Sequence, residues 1–118
     1  MEQKNNTLYR EQRVHPFTIT SNNIINDKRI GLTSLGLFVI MNAQADHWQF
    51  YETELVTRSE IDGLAKVRAA LRRLEKYGYL RRKRRRNSLG QLQGIDWFIS
   101  DEGKPEWAHE WARNNPNG

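Results

Sequence analysis

Six consecutive cations, Arg81-Arg82-Lys83-Arg84-Arg85-Arg86, are the densest charge in this 118-residue chain. Cationic groups packed on a compact segment repel one another, and phosphate is the partner that relieves the repulsion. A strand with one buried face alternates apolar and polar residues. After Leu80 this run does not, so both of its faces are expected to be wet or to meet a polyanion. A second set of cations, Lys66, Arg68, Arg72, Arg73 and Lys76, precedes it. Between Arg58 and Arg86 the sequence holds 12 Lys/Arg against Glu60, Asp62 and Glu75, while the formal net charge of the whole chain is only +5. One basic face on a near-neutral body is the electrostatic footprint of a nucleic-acid binder.

Other chemistries find little support. His15, His47 and His109 are scattered and lack metal-ligand spacing. The segment Gly31-Leu32-Thr33-Ser34-Leu35-Gly36 has the glycines of a phosphate-binding loop but no lysine. Glu52 and Glu54 read as solvated, and no nucleophile stands with a base. The sequence therefore predicts no catalytic residue, no metal and no cofactor. It contains no cysteine, which excludes disulfides and thiolate metal sites and fits a reducing cytoplasm. No apolar run approaches the length of a membrane span, and Met1-Glu2-Gln3-Lys4 lacks the apolar core of a signal peptide. The expectation is a cytoplasmic protein without a membrane partner.

The elements that must present these cations can be read from periodicity. Val67, Ala70, Leu71 and Leu74 recur at i, i+3, i+4 and i+7, the apolar stripe of a helix from Leu64 to Tyr77. The opposite face carries Ala65, Ala69, Arg72 and Lys76, with Lys66, Arg68 and Arg73 at its edges. Asp62 is placed to cap the helix start, and Gly78 to occupy the left-handed position after its end. The basic run follows as a strand. Asn87-Ser88-Leu89-Gly90 turns the chain, and Ile95-Asp96-Trp97-Phe98-Ile99 returns as a second strand anchored by Ile95, Trp97 and Ile99. A helix followed by a basic two-stranded ribbon is the outline of a winged helix-turn-helix. A localisation signal on a disordered tail would not carry such a returning strand.

The rest of the chain is read around that unit. Residues 1–15 are polar and aperiodic, a flexible arm in which Lys4, Arg10 and Arg13 stand near phosphate at most. Phe17-Thr18-Ile19-Thr20 is a short β-type run. Ser21 caps a brief helix over 22–27 with Ile24 and Ile25 inward. Leu32 to Asn42 is apolar around much of its circumference and predicts the central buried helix. Gly36 within it predicts close approach of a neighbouring element. Trp48-Gln49-Phe50-Tyr51 reads as a strand able to pair with the ribbon base, and Thr53 to Arg58 as a short helix with Leu55 and Val56 inward. The expected class is α+β with the order β-α-α-β-α-α-β-β over residues 16–100. A C-terminal extension, 101–118, follows with a helix that starts at Pro105 and places Trp107 and Trp111 on one side, docked on the body or used in self-association.

The order and spacing of several stretches resemble the N-terminal winged-helix domain of phage replisome organisers and DnaD-like replication initiation proteins of Gram-positive bacteria. The matching residues are Phe17-Thr18-Ile19, Asp27-Lys28-Arg29-Ile30, Gly36-Leu37, Trp48-Gln49-Phe50-Tyr51, Asp62-Gly63, Val67, Leu71 and Leu74 with Gly78-Tyr79-Leu80, and Gly90 and Gly94. The resemblance covers about residues 16–100. It implies a winged helix that binds origin or operator DNA of a phage or plasmid during replication. Partners among the replication proteins are implied through a C-terminal domain that family members often carry and that these 118 residues do not include. Gly31 departs from the pattern, standing where such domains usually place a capping Ser or Thr.

The residues themselves assign roles within that frame. The helix from Leu64 enters the major groove N-terminal end first. Ala65 and Ala69 allow close approach, Arg68 and Arg72 reach guanine edges, and Lys66, Arg73 and Lys76 flank them. Arg82, Lys83, Arg84, Arg85, Arg86 and Asn87 of the ribbon grip phosphate or the adjacent minor groove. A homodimer would read a palindromic site. The alternatives are a winged-helix transcriptional regulator, which the same physics serves equally well, and a protein-interaction module, which would rarely bury so many cations. RNA is disfavoured because no exposed aromatic platform is evident beside the basic residues.

Overall fold

The computed structural model describes residues 7–13 and 15–118. The sequence-based expectation for Lys4 lies outside the described residues, and 7–13 form no regular element. Among the described residues the chain is α+β, with five helices and one two-stranded antiparallel sheet. The elements are α1 (Asn22–Ile25), α2 (Gly31–Asn42), α3 (Glu52–Val56), α4 (Leu64–Lys76), β1 (Leu80–Arg86), β2 (Leu92–Ile99) and α5 (Pro105–Asn114).

The apolar stripe of α4 is the centre of the core. Val67, Ala70, Leu71 and Leu74 are all buried, as the 3.6-residue period requires. They meet Leu37, Phe38 and Met41 of α2, Leu55 of α3, and Tyr79 and Leu80 at the start of the ribbon. Ser34, the buried polar side chain of α2, is satisfied across the packing: its hydroxyl donates to the Ala70 carbonyl at 3.0 Å. The sheet is a hairpin in which Leu80 pairs with Ile99, Arg82 with Trp97 and Arg84 with Ile95. Its turn is fixed by Asn87, whose Oδ1 accepts from the backbone N–H of Leu89 and of Gln91, both at 2.9 Å. Gly78 has φ +83°, the left-handed link between α4 and β1 that the sequence predicts.

Several expectations need correction. Neither Phe17-Thr18-Ile19-Thr20 nor Trp48-Gln49-Phe50-Tyr51 is a strand, so the observed order is α-α-α-α-β-β-α. The second segment meets the ribbon through side chains instead. Phe50 stacks on Trp97 with ring centroids 5.5 Å apart, and no backbone ladder joins them. The first segment has no strand beside it. Its carbonyl at Ile19 accepts from Asn42 Nδ2 at 3.1 Å, while Phe17 and Ile19 stay exposed.

The first helix is shorter than expected and buries Ile24 but not Ile25. The central helix buries one face only: Leu32, on the other, is 88 % exposed. No neighbouring atom lies where a Cβ on Gly36 would point, so close approach does not explain that glycine. Asp62 does not cap α4, whose N-cap is Gly63. Its carboxylate is taken by the Ser59 hydroxyl at 2.7 Å and by Lys66 Nζ at 2.8 Å, one turn on. Ile95 is about half exposed and leaves the hairpin base to Trp97 and Ile99.

Candidate nucleic-acid interface

The strand geometry of β1 divides its cations. Side chains alternate between faces, so Arg82, Arg84 and Arg86 share the side of buried Leu80, and Arg81, Lys83 and Arg85 the other. Arg82 is drawn inward. Its guanidinium bonds Glu75 of α4 at 2.6 Å and Glu52 of α3 at 3.1 Å and lies 5.0 Å from the centre of the Trp97 ring. Only 18 % of its side chain is exposed. Burial lowers the Arg82 pKa, but the hydrogen bonds it donates to the Glu75 and Glu52 carboxylates outweigh it and the net shift is upward. The expectation that both faces of the run are wet therefore fails at Arg82, which ties β1 to α3 and α4.

Glu52 carries a second partner, Arg68 Nε, at 3.1 Å. Burial pushes the Glu52 carboxyl up, yet the hydrogen bonds from Arg82 and Arg68 hold it below its ordinary value. Arg68 keeps 49 % of its side chain exposed, so it is pinned beside the helix face rather than removed from it. On the other face of the ribbon, Arg81 pairs with Glu110 of α5 at 2.9 Å and Arg85 with Asp96 at 2.6 Å. Arg86 donates to the Gly90 carbonyl at 2.9 Å across the turn. Among the described residues, Lys83, Arg84 and Arg86 of the ribbon and Arg72, Arg73 and Lys76 of α4 form no ion pair.

Ala65, Lys66, Arg68, Ala69, Arg72, Arg73 and Lys76 are all exposed. The structure brings these α4 residues together on one helix, joined to the ribbon by the Arg68–Glu52–Arg82–Glu75 chain. Two features escaped sequence reasoning. Glu52 and Glu75 organise the cations; the only signal for Arg82 was its parity with Leu80. The other is the course of α5. It starts at the end of α4, where the Lys104 N–H donates to the Gly78 carbonyl at 2.8 Å, and runs back along that helix. Trp107 lines a recess with Arg72 and Glu75. One turn later Trp111 lines another with Ala69, Arg72, Arg73 and Lys76. An exposed aromatic, Trp48 at 46 %, also lines a recess with Ile95 and Trp97 of the ribbon.

A separate polar cluster braces the far end of α4. Asp27 accepts from Arg29 at 2.7 and 2.9 Å and from the Tyr79 hydroxyl at 2.6 Å. The hydrogen bonds from Arg29 hold its carboxyl well below the carboxylate range. Burial and the bond to Asp27 push the Tyr79 hydroxyl up to about 12. Among the described residues no three His, Asp or Glu side chains are grouped to hold a metal ion, and no helix is long and apolar enough to cross a membrane. No protein-family model, no curated protein and no solved structure matches the chain.

Proposed function

We propose that this chain is a double-stranded DNA-binding domain of winged helix-turn-helix type. In this reading α2, α3 and α4 form the helical body, α4 enters the major groove N-terminal end first with Arg68 and Arg72 toward the bases, and the β1–β2 ribbon is the wing on the flanking backbone. The supporting observation is the pair of unpaired cation sets on rigid elements, Lys83, Arg84 and Arg86 on the hairpin and Arg72, Arg73 and Lys76 on the helix. Cations without carboxylate partners have no counter-charge to give up before taking phosphate. Arg82, already satisfied, holds the two elements at a fixed angle.

A role in replication initiation rests on the resemblance to replisome organisers alone, and repression of transcription is the alternative within the same chemistry. Mapping the bound site in a native replicon separates origin repeats from an operator. Leu32 and Ile61, each 88 % exposed, favour a protein contact as a second reading, on a side of the molecule where Gly36 and Leu32 line a recess. The primary test is fluorescence anisotropy with a labelled mixed-sequence duplex at low salt. The wild-type chain is expected to bind and Arg84→Ala to bind more weakly. No binding by the wild type at low salt would overturn the DNA reading.

A further inference from the structure

The face of α4 opposite its core stripe is the one a major groove must receive. Ala65, Ala69, Arg72 and Lys76 define it, since Val67, Ala70, Leu71 and Leu74 are buried on the other side. A helix with its side chains is about 10–12 Å across, and the groove is about 12 Å wide. One helix fits and two side by side do not. Yet α5 lies along the C-terminal half of that face, with Trp111 beside Ala69, Arg72, Arg73 and Lys76.

The attachment of α5 is uneven. Its root is held firmly. The Ser21 N–H donates to Asp101 at 2.8 Å, Lys104 N–H to the Gly78 carbonyl at 2.8 Å, and Gly103, at φ +81°, turns the chain against the Tyr79 ring. The helix beyond that root buries no residue. Trp107 and Trp111 are only half-buried, and the single ion pair to the body is Glu110–Arg81 among the described residues. Shallow contacts beyond a fixed root describe a segment that opens locally at low free energy.

On the DNA-binding reading above, we infer that α5 is a latch on the recognition face: it leaves α4 when duplex DNA seats on Arg72 and Lys76, so that docking of α5 and full DNA binding exclude each other. The differential contact that biases the equilibrium is direct, because the same α4 surface serves Trp111 in one state and the groove in the other. Releasing α5 also frees Arg81 from Glu110 and adds a wing cation to the surface facing phosphate.

The test uses the full chain and a mixed-sequence duplex. Hydrogen exchange of residues 105–114 is measured with and without DNA, and duplex affinity is compared among wild type, Trp111→Ala, Glu110→Gln and Glu106→Gln. Duplex is expected to raise exchange in α5. Trp111→Ala, which changes no charge, is expected to bind at least about fivefold more tightly, the lower end of ordinary coupling between sites. Glu110→Gln is expected to tighten binding more than Glu106→Gln, which removes the same charge from α5 without breaking an ion pair. Duplex binding with unchanged or increased protection of α5, or a Trp111→Ala affinity equal to or weaker than wild type, overturns the latch and leaves the DNA reading intact. No binding by the wild type at low salt overturns the DNA reading and the latch with it.

Discussion

Arg82 and Arg84 are two residues apart on one strand face and are expected to fail in different ways. Arg82→Ala leaves Glu75, 12 % exposed at its side chain, and Glu52 without their shared cation. Breaking a fully buried pair costs roughly 3–5 kcal/mol. Partial solvation reduces that here, and a loss of about 2–3 kcal/mol in urea unfolding is expected. Arg84→Ala, with no partner to abandon, is expected to stay within about 0.5 kcal/mol of wild type while weakening duplex binding. Carboxylates matter at acid pH for the same reason. Asp27 and Glu52 are both held below their ordinary values of 3.8 and 4.5. Their contribution to stability is complete above those values and is lost as the pH falls below them. Melting temperature is therefore expected to fall as pH drops below about 4.5. Asp27→Asn is expected to be less stable than wild type at neutral pH and to show a shallower acid decline. From sequence, the inward turn of Arg82 was hidden because a charge run gives no hydrophobic contrast. Only its register with Leu80, and its cross-strand partner Trp97, distinguish it from its neighbours.

At the scale of elements, α4 and the hairpin were legible and the short strands were not. Four apolar residues at helical spacing specify a face without reference to anything distant, and Asn87 to Gly90 specify a turn by local hydrogen bonds. Trp48-Gln49-Phe50-Tyr51 has strand-forming residue types, but a strand also needs a backbone partner, which side-chain patterns do not reveal. Here Phe50 reaches Trp97 by stacking, and the ladder does not form. The location of α5 was equally hidden: the spacing of Trp107 and Trp111 gives a shared side and says nothing of which surface it meets. The joint between α4, β1 and α5 is concentrated at Gly78. Its φ of +83° disfavours any side chain, and a Cβ would run into the Lys104 backbone carbonyl. Gly78→Ala is therefore expected to destabilise the chain by more than about 1 kcal/mol and to loosen the root of α5. Denaturant melts and exchange rates at 105–114 check the two effects separately.

For the whole molecule, the distribution of charge sets how binding responds to salt. Nine cations, Lys66, Arg68, Arg72, Arg73, Lys76, Lys83, Arg84, Arg85 and Arg86, stand on the exposed surface of α4 and the wing, and groove geometry lets only some of them reach phosphate. With about four to six contacts at roughly 0.9 counterion each, log K is expected to fall against log salt with a slope of about −4 to −5. A flat response would rule out a phosphate-dominated interface. The same plot distinguishes how α5 behaves. If α5 leaves α4 on binding, wild type and Trp111→Ala reach the same bound state and release the same number of ions. Their lines should then be displaced and nearly parallel: the Trp111 contact is uncharged, and the one ion pair lost on undocking, Arg81–Glu110, changes the slope by less than about one unit. If α5 instead stays in place on DNA, wild type would keep Arg72, Arg73 and Lys76 from the backbone, and its line would be shallower than that of the variant. Anisotropy titrations at four or more salt concentrations give both slopes, and a wild-type slope shallower by about two units or more would contradict displacement of α5 even where Trp111→Ala binds more tightly.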